Sequence, residues 1–269
     1  MKKFFPLALA FSLILSSCNK QKTTVETDAP VEVDTVKVAQ KFTVDSVKVD
    51  DSLVIDKNLT LAFKSQLLVF PQVKDSVLLD SIYAREQINL ANYSKANLLK
   101  ELQAKKAKYY EENKKNLSDF KPDFKQTWTN NSRMKVFSNE NELMTIQYSG
   151  DGFTGGAHGY YYEFYKVFDL LNKKTLQLSD VVAERDHKIW SRILIDNFLK
   201  NDLEKGQAEM LLVKEIPLNN NFYFDNENLY FLYNQYEITA YAAGPVLIRI
   251  PFTAIKPLLT SEFKTRIGL

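Results

Sequence analysis

Leu59-Thr60-Leu61-Ala62-Phe63-Lys64-Ser65-Gln66-Leu67-Leu68-Val69-Phe70-Pro71 decides the class of this fold. Leu59, Leu61 and Phe63 recur at a period of two, which puts them on one covered face of a strand, and the apolar run stops at a proline. Upstream, Phe42, Val44, Val47 to Val49 and Leu53 to Ile55 carry further strand signals. Downstream the rhythm changes. Between Ser81 and Asn116 the residues Ala84, Ile88, Ala91, Leu98, Leu102 and Tyr109 are spaced by threes, fours and sevens, which predicts a helix closed off before Pro122. Its other face, with Lys100, Lys105, Lys106 and Lys108 among Glu101, Glu111 and Glu112, reads as solvated.

From Trp128 the chain returns to strands: Met134 to Phe137, a turn at Asn139-Glu140-Asn141, Leu143 to Tyr148, and a long strand from Tyr160 to Leu170 with Tyr160, Tyr162, Phe164 and Phe168 on one face. A short strand, Thr175 to Leu178, leads to a helix capped by Ser179 or Asp180 and packed through Ile189, Trp190, Ile193, Leu194 and Phe198, ending near Gly206. The tail reads as a meander, Phe222 to Phe224, Leu229 to Tyr233 and Val246 to Ile250, with a last short helix over Phe252 to Leu258. Runs of strands interrupted by two long helices predict an α+β fold, with antiparallel sheets and the two helices packed on one face. No regular βαβ alternation supports a doubly wound sheet. A joint near 117 to 131 divides the chain into 41–130 and 131–269, unless the halves share one core.

The amino terminus predicts the address. Lys2 and Lys3 precede an apolar run from Phe4 to Leu15, too short to span a bilayer, and the chain turns polar directly after Cys18. Leu15-Ser16-Ser17-Cys18 resembles the bacterial lipoprotein signal, so residues 1–17 are expected to be removed and Cys18 acylated. Several acyl chains hold a protein on a bilayer where one holds it only marginally. Of 269 residues 252 then remain, beginning with a polar tether over 18–40. The segments Val33-Asp34-Thr35-Val36-Lys37-Val38 and Val44-Asp45-Ser46-Val47-Lys48-Val49 nearly repeat, but two copies make no solenoid. Asn19 after the cysteine points to the outer membrane in a two-membrane bacterium. With its sole cysteine used for the anchor the domain has no disulfide, and 45% hydrophobic and 13% aromatic residues supply a core instead. The formal charge of +2 resides in Lys2 and Lys3, so the exported chain is near neutral and nucleic acid is not an expected partner.

Gly150-Asp151-Gly152-Phe153-Thr154-Gly155-Gly156-Ala157-His158-Gly159 holds five of the eight glycines and predicts a sharp corner between two strands. It lacks the Gly-Lys-Ser/Thr ending of a phosphate cradle. His158 is the candidate functional side chain there, with a backbone-bonded residue pinning the corner as the other reading. Only His158 and His187 are available as histidines, and neither a His-Glu-x-x-His nor a Gly-x-Ser-x-Gly pattern occurs, so no catalytic residue, metal site or cofactor is assigned. Binding is favoured over catalysis, although acidic residues such as Asp151 or Glu163 leave a peptidoglycan hydrolase or modifying enzyme as the alternative. Tyr236 and Tyr241, in the irregular stretch ending Ala242-Ala243-Gly244-Pro245, are harder to dismiss as core than the strand tyrosines.

Thr154-Gly155-Gly156-Ala157-His158-Gly159, then Leu176-Gln177-Leu178-Ser179-Asp180-Val181-Val182, then Tyr236 to Pro245 ahead of Ile250-Pro251-Phe252 together resemble the RsiV-like extracytoplasmic domain over roughly 130 to 260. The preceding half is similar to the companion domain also found in PdaC-like peptidoglycan deacetylases. The resemblance implies an envelope-facing α+β module; one member of that group is an anti-sigma factor that senses lysozyme by binding it. This chain differs in having a lipid anchor where that member has a transmembrane helix, and in lacking a deacetylase catalytic domain. The expected binding residues are His158, Tyr236 and Tyr241, set by corners at Gly155, Gly156, Gly159, Gly244 and Pro245. The expected partners are the bilayer, through Cys18, and a lysozyme-like protein or peptidoglycan fragment.

Overall fold

A computed structural model describes residues 42–117, 122–202 and 206–269. The signal segment, Cys18, the tether and the first copy of the near repeat lie outside the described residues. The strands are β1 (Asp45–Val54) and β2 (Leu59–Val69), followed by helices α1 (Ser76–Tyr83) and α2 (Lys95–Asn116), then β3 (Gln126–Glu140), β4 (Leu143–Phe153), β5 (Tyr160–Asp169) and β6 (Lys174–Thr175). After these come α3 (Leu178–Val181), α4 (His187–Asn201), β7 (Phe222–Phe224), β8 (Asn228–Tyr233), β9 (Val246–Pro251), α5 (Phe252–Ile255) and α6 (Ser261–Ile267).

Six strands form one sheet in chain order, β1 to β6, and three form a second, β7-β8-β9. The α+β class, with antiparallel pairing dominant, is what the structure has. One pair departs from it: β2 and β3 run parallel, in register from Leu59 opposite Gln126 to Gln66 opposite Arg133. A parallel pair needs a long crossover, and the α1–α2 segment supplies it. In detail the two long helices serve different sheets, α2 lying on β1 and β2 and α4 on β9.

The single helix expected from Ser81 to Asn116 is two helices. Gln87 adopts a left-handed backbone with φ 55°, and Asn92 accepts from the Ser94 amide at 2.8 Å before Ser94 caps α2 through the Asn97 amide. Ile88 is therefore buried from a connecting loop, where its helical spacing is accidental. The later helix also starts further on than expected: Gln177 and Asp180 close a capping box on the short α3, and Asp186 caps α4 by accepting from the Lys188 and Ile189 amides. The turn between β3 and β4 places Asn141 and Glu142 at φ 51° and 59°, the geometry of a two-residue hairpin.

Two apolar cores use alternate residues of the shared strands. Met144, Ile146 and Phe168 face a core with Leu61, Phe63, Ile82, Leu98 and Leu102, whereas Leu143 and Val167 face a second built around Trp190, Leu194, Phe198, Phe231 and Ile250. The second sheet meets β5 through two side chains acting as a surrogate strand. Asn221 Oδ1 accepts from the Tyr165 amide at 2.7 Å while its Nδ2 donates to the Glu163 carbonyl at 2.9 Å. Asn234 does the same around Glu163, accepting from its amide at 2.8 Å and donating to its carbonyl at 3.1 Å. At 6% and 7% exposure both asparagines are buried, so the edge of β5 is satisfied without a backbone neighbour.

Candidate functional site

The glycine-rich stretch is part strand and part corner. Gly150 and Gly152 lie within β4, and the turn proper occupies 154–159. Gly156 sits at φ 114°, where a side chain would be strained, and a Cβ at Gly159 would stand 2.5 Å from the Gly152 carbonyl oxygen. Gly155 rests against the Trp128 ring. The second corner, Gly244 and Pro245, is held by Gln207, whose Nε2 donates to the Ala243 and Pro245 carbonyls at 2.8 and 3.1 Å.

These two corners bring the three candidate side chains together. The His158 and Tyr241 rings stack with centroids 4.0 Å apart and planes inclined by 25°. Tyr236 adds a third ring 5.8 Å from Tyr241. Both neighbours of the corner hold one carbonyl: the Tyr241 hydroxyl donates to Gly159 O at 3.0 Å, and His158 Nδ1 lies 2.9 Å from the same oxygen. A carbonyl oxygen only accepts, so Nδ1 carries the hydrogen and Nε2 is the other ring position. His158 therefore does pin the corner, and it also remains exposed. Tyr236 is 60% exposed and takes φ 66°, an uncommon conformation for a bulky residue. The loop is fixed around it by the Tyr236 amide donating to Thr239 O at 3.1 Å and by Glu237 accepting from the Asn234 amide at 3.0 Å.

The two carboxylates considered for catalysis are differently placed. Glu163 accepts at both oxygens, from Tyr161 and from Tyr165, each at 2.5 Å. Burial first, then the hydrogen bond to Glu163 and after it the Glu163 charge, push both phenols well above their ordinary range, so they stay protonated donors. Asp151 accepts from Asn131 Nδ2 at 2.8 Å. His187, the other histidine, stands 3.3 Å from Glu215 at the start of α4 and has no part in this region. Among the described residues no three His, Cys, Asp or Glu side chains converge so as to hold a metal.

The order of the helix-side layer also bears on the corner. Arg85 lies over the Phe164 ring with its guanidinium carbon 3.1 Å from the centroid, and burial lowers its pKa. Tyr162, pushed up to about 12 chiefly by burial and then by Glu86, covers Gly150 from the same side. Sequence reasoning overlooked this Arg85 contact and the tyrosine clasp on Glu163. The clasp was within reach, because Tyr161, Glu163 and Tyr165 share one strand face at a period of two.

Comparison with known proteins divides the chain in two. Residues 55–161 match the family model described as "Deacetylase PdaC", and residues 173–253 match the one described as "Protein of unknown function (DUF3298)". The chain carries a PdaC-like region followed by a DUF3298 region. Two crystal structures share its fold. A DUF3298 family member from Bacteroides fragilis NCTC 9343 superposes with a TM-score of 0.68 at 23% identity, covering 85% of this chain and 96% of its own. A DUF3298 family protein from Pseudomonas aeruginosa PAO1 gives 0.55 at 18% identity, covering 83% and 97%. Among curated proteins, none matches.

Proposed function

We propose that this protein is an extracytoplasmic, envelope-associated binding module, tethered by an acylated Cys18 and without catalytic activity of its own. Its recognition surface is the patch of His158, Tyr241 and Tyr236, and its ligand is a lysozyme-like protein or, second, a peptidoglycan fragment. One observation carries the reading: side chains some 80 residues apart in sequence gather into one aromatic group, with His158 stacked on a half-buried Tyr241 and Tyr236 exposed beside it at a positive φ. Exposed tyrosines offer large rigid contact area at small entropic cost, the property that enriches them in protein interfaces. Strain kept at an exposed aromatic is a pointer to function. The PdaC-like and DUF3298 regions and the resemblance to RsiV-like domains support an envelope setting.

Calorimetry of the purified chain with lysozymes and with muropeptides tests the proposal. A saturable heat with a lysozyme, lost in Tyr236→Ala while thermal unfolding is kept, is the expected outcome; folded protein silent on both panels overturns it. Release or alteration of peptidoglycan fragments, abolished by Asp151→Asn or Glu163→Gln, would instead make it an enzyme. Intact-mass measurement of native material checks the anchor, which requires cleavage before Cys18 and added acyl mass.

A further inference from the structure

The face of the six-stranded sheet opposite α1 and α2 carries two polar rows that run across the strands. Register places Lys48, Gln66, Arg133, Ser149 and Glu163 in one row, from β1 to β5, and Asp50, Lys64, Asn131, Asp151 and Tyr161 in the next. A groove of about 300 Å³ opens there, and most of both rows line it. Five strands at their usual spacing make it about 19 Å long.

The charges in these rows are unequally matched. Lys64 pairs with Asp50 at 3.0 Å, Asn131 donates to Asp151 and Tyr161 donates to Glu163. Lys48 and Arg133, roughly 10 Å apart on strands two places removed, have no carboxylate within ion-pair distance among the described residues. The ligand they suit carries negative charge at intervals. It cannot be a dense polyanion, since Asp50, Asp151 and Glu163 stand between and beside the cations; Asp50 and Glu163 are already engaged by Lys64 and by the two tyrosines, and Asp151, bonded to Asn131 through one oxygen, has a second oxygen for an O–H or N–H donor. A peptide strand is a poor fit as well. Peptides join sheets at an edge with free backbone groups, and β2, β3 and β4, which floor most of the groove, are paired on both sides. Amides, hydroxyls and carboxylates on side chains alone, with two spare cations, match a chain of sugar rings bearing both hydroxyls and carboxylates.

We infer that this groove is a second binding site, distinct from the aromatic patch, for a short stretch of acidic polysaccharide laid across β1 to β5. It stands whether or not the aromatic patch binds a protein. Carboxylates on the sugar meet Lys48 and Arg133, and ring hydroxyls donate to Asp151 and accept from Gln66, Asn131 and Ser149.

Titration of the full chain with tetragalacturonate, with the neutral tetramer of N-acetylglucosamine and with a glutamate-rich decapeptide tests this, using calorimetry or NMR shifts. Tetragalacturonate should bind saturably and more weakly as salt rises. Lys48→Gln and Arg133→Gln, both exposed and checked by thermal unfolding, should each weaken it about tenfold, and Tyr236→Ala should leave it unchanged. No saturable binding by folded protein, equal affinity in both glutamine variants, equal affinity for the neutral tetramer, or binding of the decapeptide alone would each overturn the inference.

Discussion

Tyr236 is where stability and recognition pull in opposite directions. A non-glycine residue in the left-handed region costs roughly 1 kcal/mol, and this one buries little of its ring in return. Tyr236→Gly should therefore raise the stability of the domain by about 1 kcal/mol, seen as a higher urea midpoint with an unchanged slope, while removing a ring from the patch and weakening ligand binding. A destabilised Tyr236→Gly variant would mean that the ring is part of the fold. The aromatic candidates were legible from sequence because Tyr236 and Tyr241 fall in a stretch with no strand or helix periodicity and His158 lies in a glycine-dense turn. Their stacking was not legible. It depends on the Gly159 carbonyl receiving the Tyr241 hydroxyl across 82 positions of chain, and no local pattern encodes such a contact.

At the scale of elements, paired strands were easier to read than the contacts that join them. The hairpins of the β7 to β9 meander and of β3 to β4 follow from alternation and turn residues, whereas the parallel β2–β3 pair requires knowing which strand the crossover returns to. The asparagine bridge to β5 was equally hidden, since Asn221 and Asn234 look like loop residues until the edge they cover is known. Asn221→Leu would leave the Tyr165 amide buried without an acceptor, while Asn234 still serves the Glu163 carbonyl. The expected loss is about 2–3 kcal/mol, or roughly 5–10 °C in melting temperature, measured by differential scanning calorimetry. The end of β5 is tied down differently. Burial alone would raise the Asp169 carboxyl, but the Asn172 amide and side chain, with Arg266 of α6, outweigh it and hold it below the ordinary carboxylate range. A carboxyl lowered on folding adds stability that is complete above about pH 4 and is lost as pH falls through the folded value. Asp169→Asn should thus be less stable than the parent at pH 7, with the gap closing as acid is added below pH 4. A gap that stays constant to pH 2 would show that the asparagine disturbs packing and not charge.

For the molecule as a whole, the question is whether the two halves expected from sequence, 41–130 and 131–269, can stand apart. A cut after residue 130 passes through β3, which runs from Gln126 to Glu140 and holds β2 on one side and β4 on the other. The first fragment would keep Leu61, Phe63, Leu98 and Leu102 but lose Met134, Ile146, Tyr148 and Phe168 from the same core. The second would keep those residues without the helix layer that covers them, exposing a broad apolar sheet face. The PdaC-like match itself runs on to residue 161, and the DUF3298 match begins at 173, so the seam between them falls around the end of β5 and not at 130. Even there the two cores share strands, because Leu143 and Val167 turn to one core while Met144 and Phe168 turn to the other. Residues 42–269 should accordingly unfold in one cooperative transition, with calorimetric and van't Hoff enthalpies equal. Fragments 41–130 and 131–269 expressed separately should give no dispersed NMR spectrum alone. Two resolved transitions in the parent, or a folded 131–269 fragment, would show that the halves are independent and that the sheet is an interface between them.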